Sequence, residues 1–70
     1  MYQITILYQG STEVAYAEGS DYVETVTEAL NDAMSGIYST GAGDLTIRAI
    51  KEGHCAAIET PASLWFDMAG

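Results

Sequence analysis

The stretch Gly19-Ser20-Asp21-Tyr22-Val23-Glu24-Thr25-Val26-Thr27-Glu28-Ala29-Leu30-Asn31-Asp32-Ala33-Met34 decides the fold, because here the hydrophobic period changes from the two of a strand to the 3.6 of a helix. Ser20 or Asp21 is placed to cap that helix; with Asp21 as the cap, Glu24 falls at the third helical position, as in a capping box. Both acids also suit the positive end of the helix dipole. Val23, Val26, Leu30, Ala33, Met34 and Ile37 recur at three- and four-residue spacing, which predicts one apolar stripe able to cover a sheet. Gly36 is the expected stop, and the Gly-, Ser- and Thr-rich run from Gly36 to Gly43 reads as a flexible connection anchored by Tyr38.

Outward from the helix the period returns to two. Before it, Tyr2, Ile4, Ile6 and Tyr8 alternate with Gln3, Thr5 and Leu7; after the turn Gln9-Gly10-Ser11-Thr12, Val14 and Tyr16 alternate with Glu13, Ala15 and Ala17 as far as Glu18. This is a hairpin. Beyond the helix, Leu45, Ile47 and Ala49 alternate with Thr46, Arg48 and Ile50 across Asp44 to Lys51, and Glu52-Gly53-His54 turns that strand into Cys55 to Thr60. Pro61 cannot donate to a ladder and is expected to interrupt the strand. Leu64, Phe66 and Met68 alternate with Trp65 and Asp67, so the end of the sequence reads as a fifth strand or a single helical turn. The expected fold class is α+β: one antiparallel sheet of four to five strands, order ββαββ, with one helix packed across one face, in a single domain over residues 1–70.

Composition narrows the chemistry. Ten acidic residues stand against two basic ones, Arg48 and Lys51, for a formal charge of -8. A chain of 70 residues buries only about 60% of the surface it exposes when unfolded, so self-repulsion weighs on a modest stability. Nucleic-acid phosphates and anionic lipid head groups are bound through Lys and Arg, so direct binding to either is not expected. The single cysteine, Cys55, excludes an internal disulfide and a thiolate-rich metal site, which fits a reducing, cytoplasmic setting. The sequence shows no basic start followed by an apolar run, and no apolar stretch approaches the roughly 20 residues that span a bilayer.

Catalytic and cofactor signals are weak. His54 and Cys55 are adjacent, so on a strand they point to opposite faces, and no third residue orients them. Gly41-Ala42-Gly43 precedes a strand and lacks the helix and Lys that a phosphate cradle requires. No catalytic residue, cofactor or metal ligand is expected. The distinctive constellation is acidic: Glu24, Glu28 and Asp32 fall at i, i+4 and i+8, opposite the apolar stripe, with no Lys or Arg in the helix to offset them. Like charges at this spacing, about 5–6 Å apart, cost a few tenths of a kcal/mol per pair, so the row does not serve helix stability. It is either a solvated face that keeps molecules apart, or a row of carboxylates spaced like backbone phosphates and able to engage Lys and Arg. Asp21 and Glu18 are placed to extend it at the helix entrance. Most of the aromatic residues must be core; Tyr22, Tyr38 and Trp65 are each either ordinary core or sheet packing, the commoner role, or exposed anchors within that acidic rim.

In length, acidity, lack of catalytic residues and strand-strand-helix-strand-strand order, the chain resembles the small phage-encoded anti-CRISPR proteins, several of which occupy nucleic-acid sites on CRISPR effector complexes. The resemblance is one of type and rests on no shared motif, so no site residue is carried over from that family. It implies an inhibitor that binds a basic surface by DNA mimicry in the host cytoplasm, as a monomer or weak homo-oligomer. The two strands followed by a helix containing Thr27-Glu28-Ala29-Leu30 also resemble, over the first half of the chain, the acidic antitoxins of the HicB kind. That resemblance implies a basic ribonuclease toxin as the partner. A small phage structural or assembly protein, pairing through an exposed edge strand, is the further alternative.

Overall fold

The computed structural model describes residues 1–35, 44–53 and 56–69, with side chains through Trp65. The elements run β1 (Tyr2–Tyr8), β2 (Thr12–Gly19), α1 (Tyr22–Ser35), β3 (Leu45–Lys51), β4 (Ile58–Pro61) and α2 (Ala62–Ala69). Among the described residues, the four strands form one antiparallel sheet in the order β2-β1-β3-β4. The fold class is α+β.

The two most apolar alternating strands, β1 and β3, lie side by side at the centre. Ile6 pairs with Ile47 and Ile4 with Ala49, and all four are buried. Helix α1 covers β2 and β1, while α2 covers β3 and β4. Both helices lie on one side of the sheet, since Trp65 of α2 meets Tyr22 of α1 edge-on at 5.9 Å and both helices share a core with Ile4, Ile6 and Ile47. Tyr2 completes an aromatic row, its ring 5.2 Å from that of Tyr22.

The hairpin between β1 and β2 closes on Gln9 and Gly10, both at positive φ (54° and 78°), and the Ser11 amide donates to the Tyr8 carbonyl at 3.3 Å. Two positive φ values in succession match the twist of paired strands, and they suit Asn or Gly better than Gln. Gln9→Asn is therefore expected to stabilise the fold by about 0.5 kcal/mol, read as a higher urea midpoint at unchanged m-value. No change would mean that Gln9 carries no strain.

At the other end of β2, the sequence places Gly19 directly under α1. A Cβ there would overlap Thr25 Oγ1, and Thr25 is held by two bonds to the Asp21 carbonyl, from its hydroxyl at 2.6 Å and its amide at 3.0 Å. Gly19→Ala is expected to cost about 1–3 kcal/mol, the range for overpacking. In a Thr25→Ala background the same change should cost markedly less, and equal costs in the two backgrounds would remove the overlap as the cause.

Several expectations are corrected. Val23, assigned to the apolar stripe, is 56% exposed, while Thr25 and Ala29 are buried. The stripe is rotated toward β2, where Thr25 can be buried because its hydroxyl is satisfied within the helix. β4 begins at Ile58 and includes Pro61, which occupies the last ladder position, opposite Thr46, on an outer strand where a missing donor is tolerated. The final segment is helix α2, not a fifth strand: Ala62 and Trp65, three residues apart, are buried on one helical face while Leu64 is exposed. Gly36, Ile37, Tyr38, His54 and Cys55 lie outside the described residues.

Candidate functional site

Asp21 caps α1. Its Oδ1 accepts the Glu24 amide at 2.9 Å, which fixes the helix start and places Glu24 in the first turn. From there the 3.6-residue period brings Glu28 and Asp32 round to the same side. All three are exposed, on the surface of α1 that faces away from Val26, Ala29, Leu30 and Ala33. The row advances by about 6 Å and rotates by about 40° per step. Glu24 therefore points most directly away from the sheet, and Asp32 has turned toward the flank of Thr25 and Ala29. The helix contains no Lys, Arg or His.

Asp21 stands at the N-terminal end of this row, with one carboxylate oxygen committed to the cap. The structure does not bring Glu18 to it. Ala17 is buried beneath α1, so Glu18, the next residue of β2, projects from the opposite face of the sheet. There it accepts a hydrogen bond from the Tyr16 hydroxyl at 2.7 Å, two residues back on the same face.

That bond, together with desolvation and the Glu18 charge, raises the Tyr16 phenol above the usual value near 10. The raised value means that the folded state holds the phenolic proton more tightly than the unfolded chain does. The contribution is complete below the unfolded pKa and is lost as pH climbs through the folded one. Glu18→Gln is expected to lower the Tyr16 titration in an ultraviolet scan above pH 9, and an unchanged curve would contradict this contact.

The cations do not offset the helix. Arg48 pairs with Glu59 at 3.7 Å across β3 and β4, and the Met1 amino group lies 3.4 Å from Glu52. Lys51 forms no ion pair among the described residues. These exposed pairs are worth at most about 1 kcal/mol each, so they neither organise nor neutralise the acidic face. Of the expected aromatic anchors, Trp65 is only 8% exposed and serves the core, and Tyr22 is half-buried. Val23 is an exposed apolar side chain on the same turn as Glu24, on the flank away from Asp32.

Among the described residues no group of three or more His, Cys, Asp or Glu side chains converges as a metal site, and no helix is long and apolar enough to cross a membrane. The chain matches no protein-family model, no curated protein and no solved structure.

Proposed function

We propose that this chain is a non-enzymatic inhibitor of the anti-CRISPR kind, which presents α1 to a basic nucleic-acid-binding surface of a CRISPR effector complex in place of a phosphate backbone. The observation that carries the reading is the exposed, uncompensated row Glu24, Glu28 and Asp32 on a helix with no cation. One carboxylate per about 6 Å of helix axis corresponds to alternate phosphates of a DNA strand, which rises about 3.4 Å per nucleotide. Lys and Arg arranged for DNA would thus meet acceptors at a spacing they can use. Long-range attraction between a chain of charge -8 and a basic groove would speed encounter. A basic toxin would engage the same row, as the antitoxin-like alternative holds.

The test is competition. Purified CRISPR effector complexes, each loaded with its guide, are offered labelled target DNA with and without the chain. The proposal expects DNA to be displaced from at least one of them, less so at high salt. Displacement that is indifferent to salt, or none from any complex, would overturn it.

A second reading rests on a separate observation: β2, eight residues long, is an outer strand of the sheet. Its open edge would allow pairing with a second copy in an assembly protein. Sedimentation separates the two, since this reading requires a stable homo-oligomer and the inhibitor does not.

A further inference from the structure

A pocket of about 320 Å³ opens on the helix side of the sheet, lined by Tyr2, Tyr22, Ala49, Lys51, Ala56 and Ile58. Its lining is drawn from the ends of β1 and β3, the start of α1, the start of β4 and Ala56 just before that strand. The walls are largely apolar and partly rigid: the Tyr2 and Tyr22 rings are tilted 59° to each other, and Tyr22 is backed by the buried Trp65. Ile58, a large aliphatic side chain, is left 71% exposed.

The pocket also holds a polar signal. Lys51 contributes one wall, and it carries the ammonium that no described carboxylate neutralises, whereas Arg48 is taken by Glu59. In a chain of net charge -8, the unpaired cation stands against an apolar hollow. Largely apolar walls with a small number of polar or charged groups are the usual make-up of a small-molecule site, and this volume is at the lower end of the range of roughly 300–1,000 Å³. The ammonium disfavours the basic surface proposed to meet α1, so this site takes a different ligand.

We propose that the pocket binds a small apolar carboxylic acid, its aromatic or aliphatic body against the tyrosines and Ile58 and its carboxylate on the Lys51 ammonium. The chain's single tryptophan, Trp65, stands behind Tyr22 and reports occupancy by fluorescence. The probes are 4-phenylbutyrate and its neutral counterpart 4-phenylbutyramide, titrated into the intact chain with amide shifts followed in parallel by NMR. Saturable binding of the acid is expected, with a dissociation constant on the order of 1 mM, appropriate to so few ligand atoms. The shifts should centre on Tyr2, Tyr22, Lys51 and Ile58. The amide should bind about three- to fivefold more weakly, as should the acid to Lys51→Met, because the removed interaction is one exposed ion pair. Ala56→Trp, at an exposed position on the rim, should block binding while leaving the fold intact.

Equal binding of acid and amide, shifts centred elsewhere, or no saturation would overturn the proposal. So would self-association abolished by Ala56→Trp in the absence of any acid, which would assign the hollow to a second copy.

Discussion

Ile47→Ala is expected to remove a large share of the protein's stability. Ile47 is 1% exposed at the centre of the sheet, opposite the fully buried Ile6. Truncating a buried Ile to Ala costs about 2–5 kcal/mol, from lost transfer energy and the cavity left behind. A chain of 70 residues has roughly 3.5–10.5 kcal/mol of stability to lose, at about 0.05–0.15 kcal/mol per residue. One side chain thus accounts for a large share of the margin that keeps the molecule folded. Urea denaturation should show the midpoint collapse for Ile47→Ala, whereas Ile47→Val loses only about 0.5–1.5 kcal/mol. A cost below about 1 kcal/mol for the alanine would contradict the placement of the core.

The second large effect concerns binding and leaves the fold unharmed. Glu24→Gln, Glu28→Gln and Asp32→Asn together remove the acidic row but keep side-chain size, exchanging one acceptor oxygen of each group for an NH2 donor. Adjacent like charges on a helix cost a few tenths of a kcal/mol per pair, so the triple variant should be as stable as the parent or slightly more so. Its affinity for a basic partner should nevertheless fall about ten- to hundredfold, at about 0.5–1 kcal/mol per exposed contact. Most of that loss should appear in the association rate, where charges at the rim of an interface act. Unchanged affinity would take α1 out of the account.

Much of this architecture is legible in the sequence because local pattern and tertiary environment agree there. β1 and β3 each carry an alternating apolar set that the helices cover, so Ile4, Ile6, Leu45, Ile47 and Ala49 could be assigned inward from periodicity. The start of α1 follows from a single geometric fact, the reach of the Asp21 carboxylate to the Glu24 amide. Where the two levels diverge, alternation misleads. Leu7 falls among the polar positions of β1 yet is 1% exposed. Alternation leaves Trp65 open between core packing and a surface anchor; the helix that starts directly after Pro61 decides it, setting Trp65 beside Ala62 in the core.

The candidate site divides in the same way. The spacing of Glu24, Glu28 and Asp32 determines their common face once the helix is granted, so the row is readable from four-residue steps alone. Glu18 is close to it in sequence but falls on the far side of the sheet, because strand alternation, not proximity, sets its direction. The pocket had no sequence signature, since Tyr2, Tyr22, Lys51 and Ile58 meet only through the pairing of β1 with β3 and the landing of α1.

The most direct test of the central claim, that the exposed carboxylates of α1 are what a partner recognises, is the salt dependence of affinity for whichever effector complex the chain displaces from DNA. Dissociation constants for the parent and the triple variant are measured from about 50 mM to about 300 mM salt, a range over which the screening length falls to below about 6 Å. The parent should weaken steeply, about tenfold or more, while the variant gives a shallower line that approaches the parent's at high salt. Parallel lines for the two proteins would show that Glu24, Glu28 and Asp32 take no part in recognition.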